Sequence, residues 1–276
     1  MSVAADFKGK TVVITGASSG IGRATALEFA KAGANVALLA RRKDKLEEAQ
    51  KACEALGAKA LALECDVTSE ADVRKAAEVV GKRFGAADVL VNNAGYGVYG
   101  PFAEMDTADI EGMMKTNYFG LVHMTKAFLP GMRARGSGAI VNVASMAGKL
   151  SFPNLAGYCA SKFAVAGFTE ALYFELKPEG IQVHLLCPAG TKTEFFDHAS
   201  FEGHAHRVHY DRMMEPGTVA KAILRAVREN LYETCLPAAD TAIGRFKGLM
   251  PGVFRKLQEG RQKQRRKAGA EAGRKP

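Results

Sequence analysis

The segment KTVVITGASSGIGRATALEFAKAG, residues 10–33, decides the fold. It begins with a short β-branched run, continues through glycines at positions 16, 20 and 22, and ends in a helical pattern. Glycines in such a turn let the backbone approach an anion, and a helix N-terminus supplies unpaired N–H groups and a partial positive charge. The segment therefore predicts a strand, a phosphate-binding turn and a helix. The alternative is merely a sharp helix entry, because the spacing differs from the G-x-G-x-x-G dinucleotide fingerprint.

Outward from this segment, apolar strands alternate with helices. Further strands are predicted at residues 35–40, 60–65, 88–92, 138–144 and 181–187, and further helices at 43–56, 69–84, about 106–134 and 158–175. This alternation is typical of right-handed βαβ crossovers and of a parallel sheet covered on both faces. We expect one doubly wound α/β domain over residues 1–240, in which residues 191–216 form a lid, and a C-terminal amphipathic helical extension with a basic tail over residues 241–276.

The composition excludes several classes of protein. The 276 residues are 47% hydrophobic and 24% charged, which is enough for a sizeable core and excludes disorder as the main state. No apolar run reaches the roughly 20 residues of a spanning helix, and the N-terminus lacks the pattern of a secretory signal. The five cysteines are scattered without a C-x-x-C pair, which predicts reduced, mostly buried thiols. We therefore expect a cytoplasmic protein.

The positive charge is concentrated in the tail. Residues 254–276 hold nine Lys/Arg against two Glu, a balance of +7 out of the net charge of +9. A basic groove on the folded domain is therefore not indicated, and we expect no nucleic-acid partner. The tail is interpreted as a solvated end; the alternatives are weak contact with an anionic membrane through the amphipathic segment 243–257, and packing against a sister subunit.

The end of the second strand indicates which nucleotide the turn would bind. An NAD-preferring site is expected to place an acid there for the ribose diol, but the strand ends at Ala40 and Arg41-Arg42 follow. A guanidinium at this place suits a 2′-phosphate, so NADP(H) is predicted to be preferred over NAD(H), with Arg41 as the contact. The alternative is a solvated arginine pair at a strand end.

Three polar residues are expected to converge where the nicotinamide would lie. Tyr158 and Lys162 are four residues apart on a predicted helix, so their side chains share a face. A phenol is a poor acid–base group at neutral pH, and a nearby ammonium lowers its pKa. Ser145 closes the preceding strand at the same edge of the sheet. Singly, these residues could be a half-buried core tyrosine, a surface cation and a turn serine.

Together these motifs resemble the short-chain dehydrogenase/reductase family. The matching residues occur in order over residues 8–195: Thr15-Gly16-x-x-x-Gly20-x-Gly22, Asp66, Asn92-Asn93-Ala94-Gly95, Asn117, Ser145, Tyr158-x-x-x-Lys162, and Pro188-Ala189-Gly190 with Thr193. The resemblance implies a single doubly wound Rossmann domain with a mostly parallel seven-stranded sheet and helices on both faces.

The resemblance also implies catalytic roles for Asn117, Ser145, Tyr158 and Lys162. Tyr158 would be the general acid or base while hydride passes between nicotinamide and substrate. Lys162 would bind the nicotinamide ribose and depress the pKa of the tyrosine. Ser145 would hold the substrate oxygen, and Asn117 would hold a water in a proton relay.

Cofactor contacts are implied along the whole edge of the sheet. Asp66 and Val67 would receive the adenine, and the loop from Pro188 would fix the face of the nicotinamide ring. That loop departs from the family, which commonly has glycine directly after the proline where this chain has Ala189. The predicted cofactor-binding residues are Gly16, Ser18, Ser19, Gly20, Ile21, Gly22, Arg41, Asp66, Val67, Asn93, Ala94, Gly95, Tyr158, Lys162, Pro188, Gly190, Thr191 and Thr193.

The segment 191–216 carries two further signals. Four of the six histidines lie in it, at positions 198, 204, 206 and 209, but the implied chemistry needs no metal and we predict none. Its aromatic residues and methionines favour an apolar substrate, although packing of a lid helix would explain them too.

The main hypothesis is an NADP(H)-dependent oxidoreductase that interconverts a carbonyl and an alcohol on an apolar small molecule, as a homodimer or homotetramer. The alternatives are a non-catalytic NADP(H)-binding regulator or sensor, and a reductase recruited to a membrane surface by its basic tail.

Overall fold

The computed structural model describes residues 7–197 and 213–260. The strands are β1 (Thr11–Thr15), β2 (Asn35–Ala40), β3 (Ala60–Glu64), β4 (Val89–Asn92), β5 (Gly138–Val143), β6 (Ile181–Pro188) and β7 (Glu233–Leu236). The helices are α1 (Gly20–Lys31), α2 (Lys43–Glu54), α3 (Glu70–Phe84), α4 (Thr107–Met114), α5 (Gly120–Arg135), α6 (Ala156–Leu176), α7 (Pro216–Glu229) and α8 (Asp240–Leu249). Residues 251–260 are also helical.

The strands form one sheet, with all pairings in the described residues parallel. The order is β3-β2-β1-β4-β5-β6-β7, so the direction of winding reverses between β1 and β4. This arrangement is the doubly wound Rossmann topology, in which ligands bind at the carboxyl ends of the strands beside the reversal. The predicted fold class is confirmed.

Helices cover both faces because successive residues of each strand point to opposite sides. On β1, Val12 and Ile14 enter the core with α1, α2 and α7, whereas Val13 enters the core with α3, α5 and α6. A third cluster lies towards β6 and β7 and includes Phe254 from the C-terminal helical residues. The sheet is thereby buried on both faces, which explains why its strands are continuous apolar runs.

The structure divides the helix that was predicted at about residues 106–134. It contains α4, a π-helical turn at Lys115–Phe119 and α5. Asn117 lies in this turn and is buried. A π turn shifts the register of the side chains that follow it and is frequent at functional sites. The apolar pattern continues through the turn, so the sequence gives no sign of it.

The C-terminal part of the described chain packs on the domain. α8 lies against β7, and Phe254 is buried beside Cys235. The division at residue 240 remains a prediction, and residues 261–276 of the predicted tail lie outside the described residues. In the ranges 7–197 and 213–260, no helix combines the length and the apolar content needed to cross a membrane.

The cysteine prediction is confirmed. All five thiols are free and buried. Burial raises the pKa of Cys53 to about 11 and that of Cys65 to about 12, so both remain protonated at neutral pH.

Candidate active site

The catalytic candidates meet at the carboxyl end of β5. Ser145 lies two residues after the end of β5, and Tyr158 and Lys162 lie one turn apart on α6. The Nζ atom of Lys162 is 5.8 Å from the centroid of the Tyr158 ring. The Ser145 hydroxyl donates to the carbonyl oxygen of Pro188 at 3.3 Å and accepts from the Ala147 N–H at 3.1 Å, which fixes its rotamer. The three groups that the sequence predicted to converge are therefore brought together.

Burial shifts both ionisable groups towards their neutral forms. It raises the pKa of Tyr158 to about 12, opposed by a hydrogen bond with Ser145. It lowers the pKa of Lys162 to about 8, because that side chain is only 5% exposed. At neutral pH the phenol is therefore a proton donor and the lysine is still mainly cationic. The expected lowering of the tyrosine pKa by the ammonium is not found in the chain by itself.

The backbone of β5 holds the ammonium group of Lys162 in place. Its Nζ donates to the carbonyl oxygen of Val143, the last residue of β5, at 2.9 Å. One strong hydrogen bond to a backbone carbonyl leaves two of the three ammonium donors for other partners. Such donors could bind ribose hydroxyls, as the sequence predicts.

Asn117 fixes the loop that follows β4. Its Oδ1 accepts from the Tyr96 N–H at 3.0 Å, and its Nδ2 donates to the Tyr96 carbonyl at 2.9 Å and to the Ser161 hydroxyl at 2.9 Å. A Cβ added at Gly95 would stand 2.8 Å from Asn117 Oδ1 and 3.5 Å from Lys162 Nζ. Asn117 and Lys162 therefore converge on one backbone position. The amide is tied to the backbone in this structure, and the predicted water relay remains a prediction.

The glycine turn is shaped to receive an anion. Gly16 has φ +64°, which favours glycine, and a Cβ at Gly22 would collide with the Gly16 carbonyl oxygen. The next helix, α1, has Ser19 at its N-cap without a side-chain cap bond and no acid in its first turn. The unpaired N–H groups and the partial positive charge of this helix end are thus not neutralised from within the helix. The turn fits a nucleotide pyrophosphate.

The loop after β4 is fastened to the glycine turn. The Thr15 hydroxyl accepts from the N–H groups of Asn93 and Ala94, at 2.9 and 3.0 Å, and Asn93 Nδ2 donates to the Thr15 carbonyl at 3.0 Å. These bonds hold the ends of β1 and β4 together across the reversal of winding. The side chain of Asn93 therefore positions the backbone of the cleft floor.

The adenine side of the predicted site lies after β3. Asp66 accepts from the N–H and the hydroxyl of Thr68, and the carbonyl oxygen of Val67 is 3.0 Å from Nδ1 of His123. The sequence did not predict His123, because this residue lies 56 positions from Val67 and no local pattern connects the two. It supports the loop through the backbone and leaves the Val67 side chain, which is buried, beside Gly120.

The predicted phosphate contact and its neighbour occupy different surroundings. Arg41 is exposed at the end of β2. Arg42, the other member of the pair, donates to the hydroxyls of Ser18 at 3.0 Å and Ser19 at 2.8 Å and to Glu194 at 2.6 Å. The sequence predicts Arg41, and not this second guanidinium, as the contact of the 2′-phosphate. The structure places it directly against the glycine turn.

The loop after β6 is closed by a short bridge. Thr191 pairs with Met214, and the Gly190 carbonyl accepts from the Met214 N–H at 3.0 Å. The Thr191 hydroxyl is buried and donates to the Ala189 carbonyl at 3.0 Å. Ala189 therefore keeps the strand geometry, bonding Leu236 through its N–H at 2.7 Å. Thr193 follows the bridge and lies against Gly20.

The four lid histidines, at positions 198, 204, 206 and 209, lie outside the described residues. Among residues 7–197 and 213–260, no group of three or more His, Cys, Asp or Glu is arranged to hold a metal ion.

The chain is similar to many known proteins. A family model described as short chain dehydrogenase matches residues 10–202. The Mycobacterium tuberculosis protein named putative oxidoreductase SadH is 34% identical over 260 residues, which cover 91% of this chain and 94% of that protein.

Solved structures agree with this family match. A short chain dehydrogenase/reductase from Burkholderia phymatum in complex with NAD is 30% identical, with a TM-score of 0.83 over 90% of this chain and 96% of that one. An actinorhodin polyketide ketoreductase with NADPH is 33% identical, with a TM-score of 0.75 over 82% of this chain and 95% of that one.

Proposed function

Because the chain belongs to the short-chain dehydrogenase/reductase family, we propose that it is an NADP(H)-dependent oxidoreductase that interconverts a carbonyl and an alcohol on an apolar small molecule. At the level of the family, the prediction of an enzyme that acts on CH–OH groups with a nicotinamide cofactor is confirmed. The finer assignments concern the catalytic residues, the choice of nucleotide and the substrate class.

The observation that carries the proposal is the half-buried Tyr158 one turn from the buried Lys162, with Ser145 beside them. A cofactor bound at the glycine turn would supply or accept hydride. The neutral phenol of Tyr158 would donate its proton to the substrate oxygen during reduction, and the phenolate would remove it during oxidation. The Ser145 hydroxyl, held by Ala147 and Pro188, would stabilise charge on that oxygen. Lys162, whose Nζ lies 5.8 Å from the centroid of the Tyr158 ring, would stabilise the phenolate electrostatically.

The preference for NADP(H) is supported by the charges near the glycine turn. β2 ends at Ala40, so no acid at this position would repel a 2′-phosphate. Arg41, Arg42 and Lys45 follow the end of β2, and Arg42 and Lys45 both form ion pairs with the carboxylate of Glu194. A phosphate monoester would therefore meet a local surplus of positive charge.

The proposal of an apolar substrate is supported by the aromatic ring of Phe195, which lies beside Tyr158. The ring of Phe195 lies 5.2 Å from the Tyr158 ring, centroid to centroid, and contacts Gly97. A substrate that approaches the phenol would pass along this ring. Apolar surface close to a few polar groups is typical of small-molecule sites.

The first experiment is a titration of the full chain with NADPH and with NADH, followed by nicotinamide fluorescence. Apolar ketones and aldehydes are then tested by the loss of NADPH absorbance. The proposal expects tight, NADPH-selective binding and oxidation of NADPH by members of the panel. Binding without oxidation would favour the regulator hypothesis, and the absence of binding to either nucleotide would contradict the proposal.

Assembly into a homodimer or homotetramer is part of the proposal. Exposed apolar side chains on the outer helices support it, notably Phe174 on α6, which is 66% exposed, and Phe119 before α5, which is 47% exposed. Light scattering on the full chain measures the mass directly. A mass of one 29.5 kDa chain would contradict this part of the proposal.

Weak contact with an anionic membrane is a second proposal, for which the C-terminal helices provide an observation. Leu249, Met250, Val253 and Leu257 are 42–83% exposed, and the polybasic residues 261–267 follow them in sequence. Apolar side chains next to basic ones are typical of helices that lie in a membrane interface. Vesicles with and without anionic phospholipid should bind the full chain differently, and removal of residues 258–276 should abolish the difference. Equal binding to both vesicles would contradict this second proposal.

A further inference from the structure

Three consecutive residues after β6 touch three parts of the cleft. Thr193 lies against Gly20 of the glycine turn, and its Cγ2 is 2.9 Å from where a Cβ would stand at that glycine. Glu194 reaches the cations that follow β2. Phe195 packs on Tyr158. One short segment therefore contacts the glycine turn, the cations Arg42 and Lys45, which together form the cationic corner, and the proposed proton donor.

Glu194 is the anion at the centre of the cationic corner. One carboxylate oxygen accepts from Arg42 at 2.6 Å, and the other accepts from Lys45 at 2.5 Å. The same Arg42 guanidinium donates to Ser18 and Ser19 of the glycine turn. Two cations and two turn hydroxyls thus form one connected group around a single carboxylate. A hydrogen bond from Lys45, with further ones from Arg42 and Ser19, lowers the pKa of Glu194 to about 2, so the carboxylate is ionised at neutral pH.

These contacts are partly exposed and easily exchanged. The side chains of Arg42, Lys45 and Glu194 are 44%, 37% and 40% exposed. Ion pairs in such surroundings contribute little free energy, because water and salt screen them. A phosphate monoester carries more charge than a carboxylate and offers more acceptor oxygens. It can therefore replace Glu194 on Arg42 and Lys45.

We propose that Glu194 is an internal competitor for the 2′-phosphate of NADP(H), and so determines how strongly the chain discriminates between NADP(H) and NAD(H). This inference rests on the proposed function, because it assumes that the nucleotide binds at the glycine turn. A nucleotide with a 2′-phosphate has to displace the carboxylate from Arg42 and Lys45 before it can use them. A nucleotide without this phosphate leaves the ion pairs in place.

The competition also links the nucleotide to the catalytic side of the cleft. Phe195 is the next residue after Glu194, and its N–H donates to the Thr193 hydroxyl at 3.3 Å. Release of Glu194 frees one end of this turn, while Phe195 holds the other end against Tyr158.

The test measures binding to the full-length chain and its Glu194→Gln variant, which keeps the size of the side chain and removes its charge. The ligands are NADPH and NADH, and the two fragments adenosine 2′,5′-bisphosphate and adenosine 5′-monophosphate. Glu215→Gln is the matched control, because Glu215 also forms an exposed ion pair near this loop, with Lys192 at 2.6 Å. Dissociation constants come from nicotinamide fluorescence and, for the fragments, from calorimetry.

Glu194→Gln should tighten binding of NADPH and of the bisphosphate by roughly three- to tenfold, as expected for loss of a carboxylate shared by two exposed cations. Its affinity for NADH and for the monophosphate should stay within about twofold of the unmodified chain. Glu215→Gln should change none of the four. In an Arg42→Ala background, the gain from Glu194→Gln should shrink, since one of the shared cations is gone.

Two results would overturn the inference while leaving the proposed function intact: NADPH-selective binding that Glu194→Gln does not alter, and equal tightening of both nucleotides. The second would mean that Glu194 obstructs the cleft in general. The failure of the unmodified chain to bind any of the four ligands would overturn the proposed function, and the inference with it.

Discussion

The two sides of the cleft are held by different physical means. On the side of β5 and α6, Lys162 is 5% exposed and Asn117 is 2% exposed, hydrogen bonds fix both, and Tyr158 and Ser145 are half-buried. On the side of β1 and β2, the charged groups are exposed ion pairs of Arg42, Lys45 and Glu194. Charges in a buried site interact strongly, whereas exposed ones are screened.

This difference in burial gives the two sides of the cleft different roles. A buried group with one fixed geometry can be tuned to move a proton, but its loss is costly because nothing replaces it. By contrast, a single substitution among the exposed Arg42, Lys45 and Glu194 can change nucleotide affinity with little effect on the stability of the fold. We therefore expect variants on the α6 side to change turnover by orders of magnitude, and variants on the β2 side to change nucleotide affinity by smaller factors.

Tyr158→Phe should produce the largest effect. Because it removes the proton donor and keeps the ring that contacts Phe195, turnover should fall by about 10²- to 10⁴-fold, while the dissociation constant of NADPH changes little. Steady-state rates and a fluorescence titration measure the two quantities. Tyr173→Phe, on the same helix, is the control and should retain full turnover. Unchanged turnover in Tyr158→Phe would exclude the phenol as the acid.

Lys162→Met should lower turnover. The same substitution should raise the free energy of unfolding at neutral pH. The pKa of Lys162 is lowered from 10.5 to about 8, so between these values the unfolded chain binds more protons and the free energy of unfolding rises with pH. The variant removes this dependence. Its advantage over the unmodified chain should be on the order of 1–3 kcal/mol at pH 7 and should shrink towards pH 10.5.

Urea unfolding at pH 7 and at pH 10 measures this difference. Lys126→Met is the control, because Lys126 is exposed on α5 and should give the same difference at both pH values. A Lys162→Met variant that is less stable than the unmodified chain at pH 7, by a margin independent of pH, would mean that the bond to Val143 outweighs the cost of burying the ammonium.

The side of β5 and α6 was largely predictable from the sequence, whereas on the exposed side the arginine pair was predicted and its partner Glu194 was not. Parallel strands bring their carboxyl ends to one edge, so Ser145, Tyr158 and Lys162 could be placed together from the order of elements and a four-residue spacing. Glu194 is 152 residues from Arg42, and no local pattern determines the conformation of the segment that carries it. The π turn at Asn117 was also missed, because its extra residue leaves the apolar pattern nearly unchanged.

Arg41→Ala should have an intermediate effect, confined to one nucleotide. Loss of this exposed cation should weaken NADPH binding by roughly tenfold, as for a single charge-assisted contact, and leave NADH nearly unchanged. Titration with both nucleotides measures this. Lys43→Ala, a neighbouring exposed lysine paired with Glu47, is the control. If Arg41→Ala weakens both nucleotides equally, Arg41 does not contact the phosphate, and Arg42 is the remaining guanidinium at the end of β2.

Salt should have the smallest effect and should separate the two sides of the cleft in a single sample. The Debye length falls from about 10 Å at 0.1 M salt to about 3 Å at 1 M, so attraction of a phosphate to the exposed Arg42 and Lys45 weakens, whereas the buried ammonium of Lys162 is screened much less. The KM for NADPH should therefore rise by roughly two- to fivefold over this range, as expected for exposed ion pairs, whereas kcat at saturating NADPH stays constant. The KM for NADH should change less, because no 2′-phosphate is involved. A salt-dependent kcat with a constant KM would show that the catalytic side is the one accessible to ions, which would reverse the comparison.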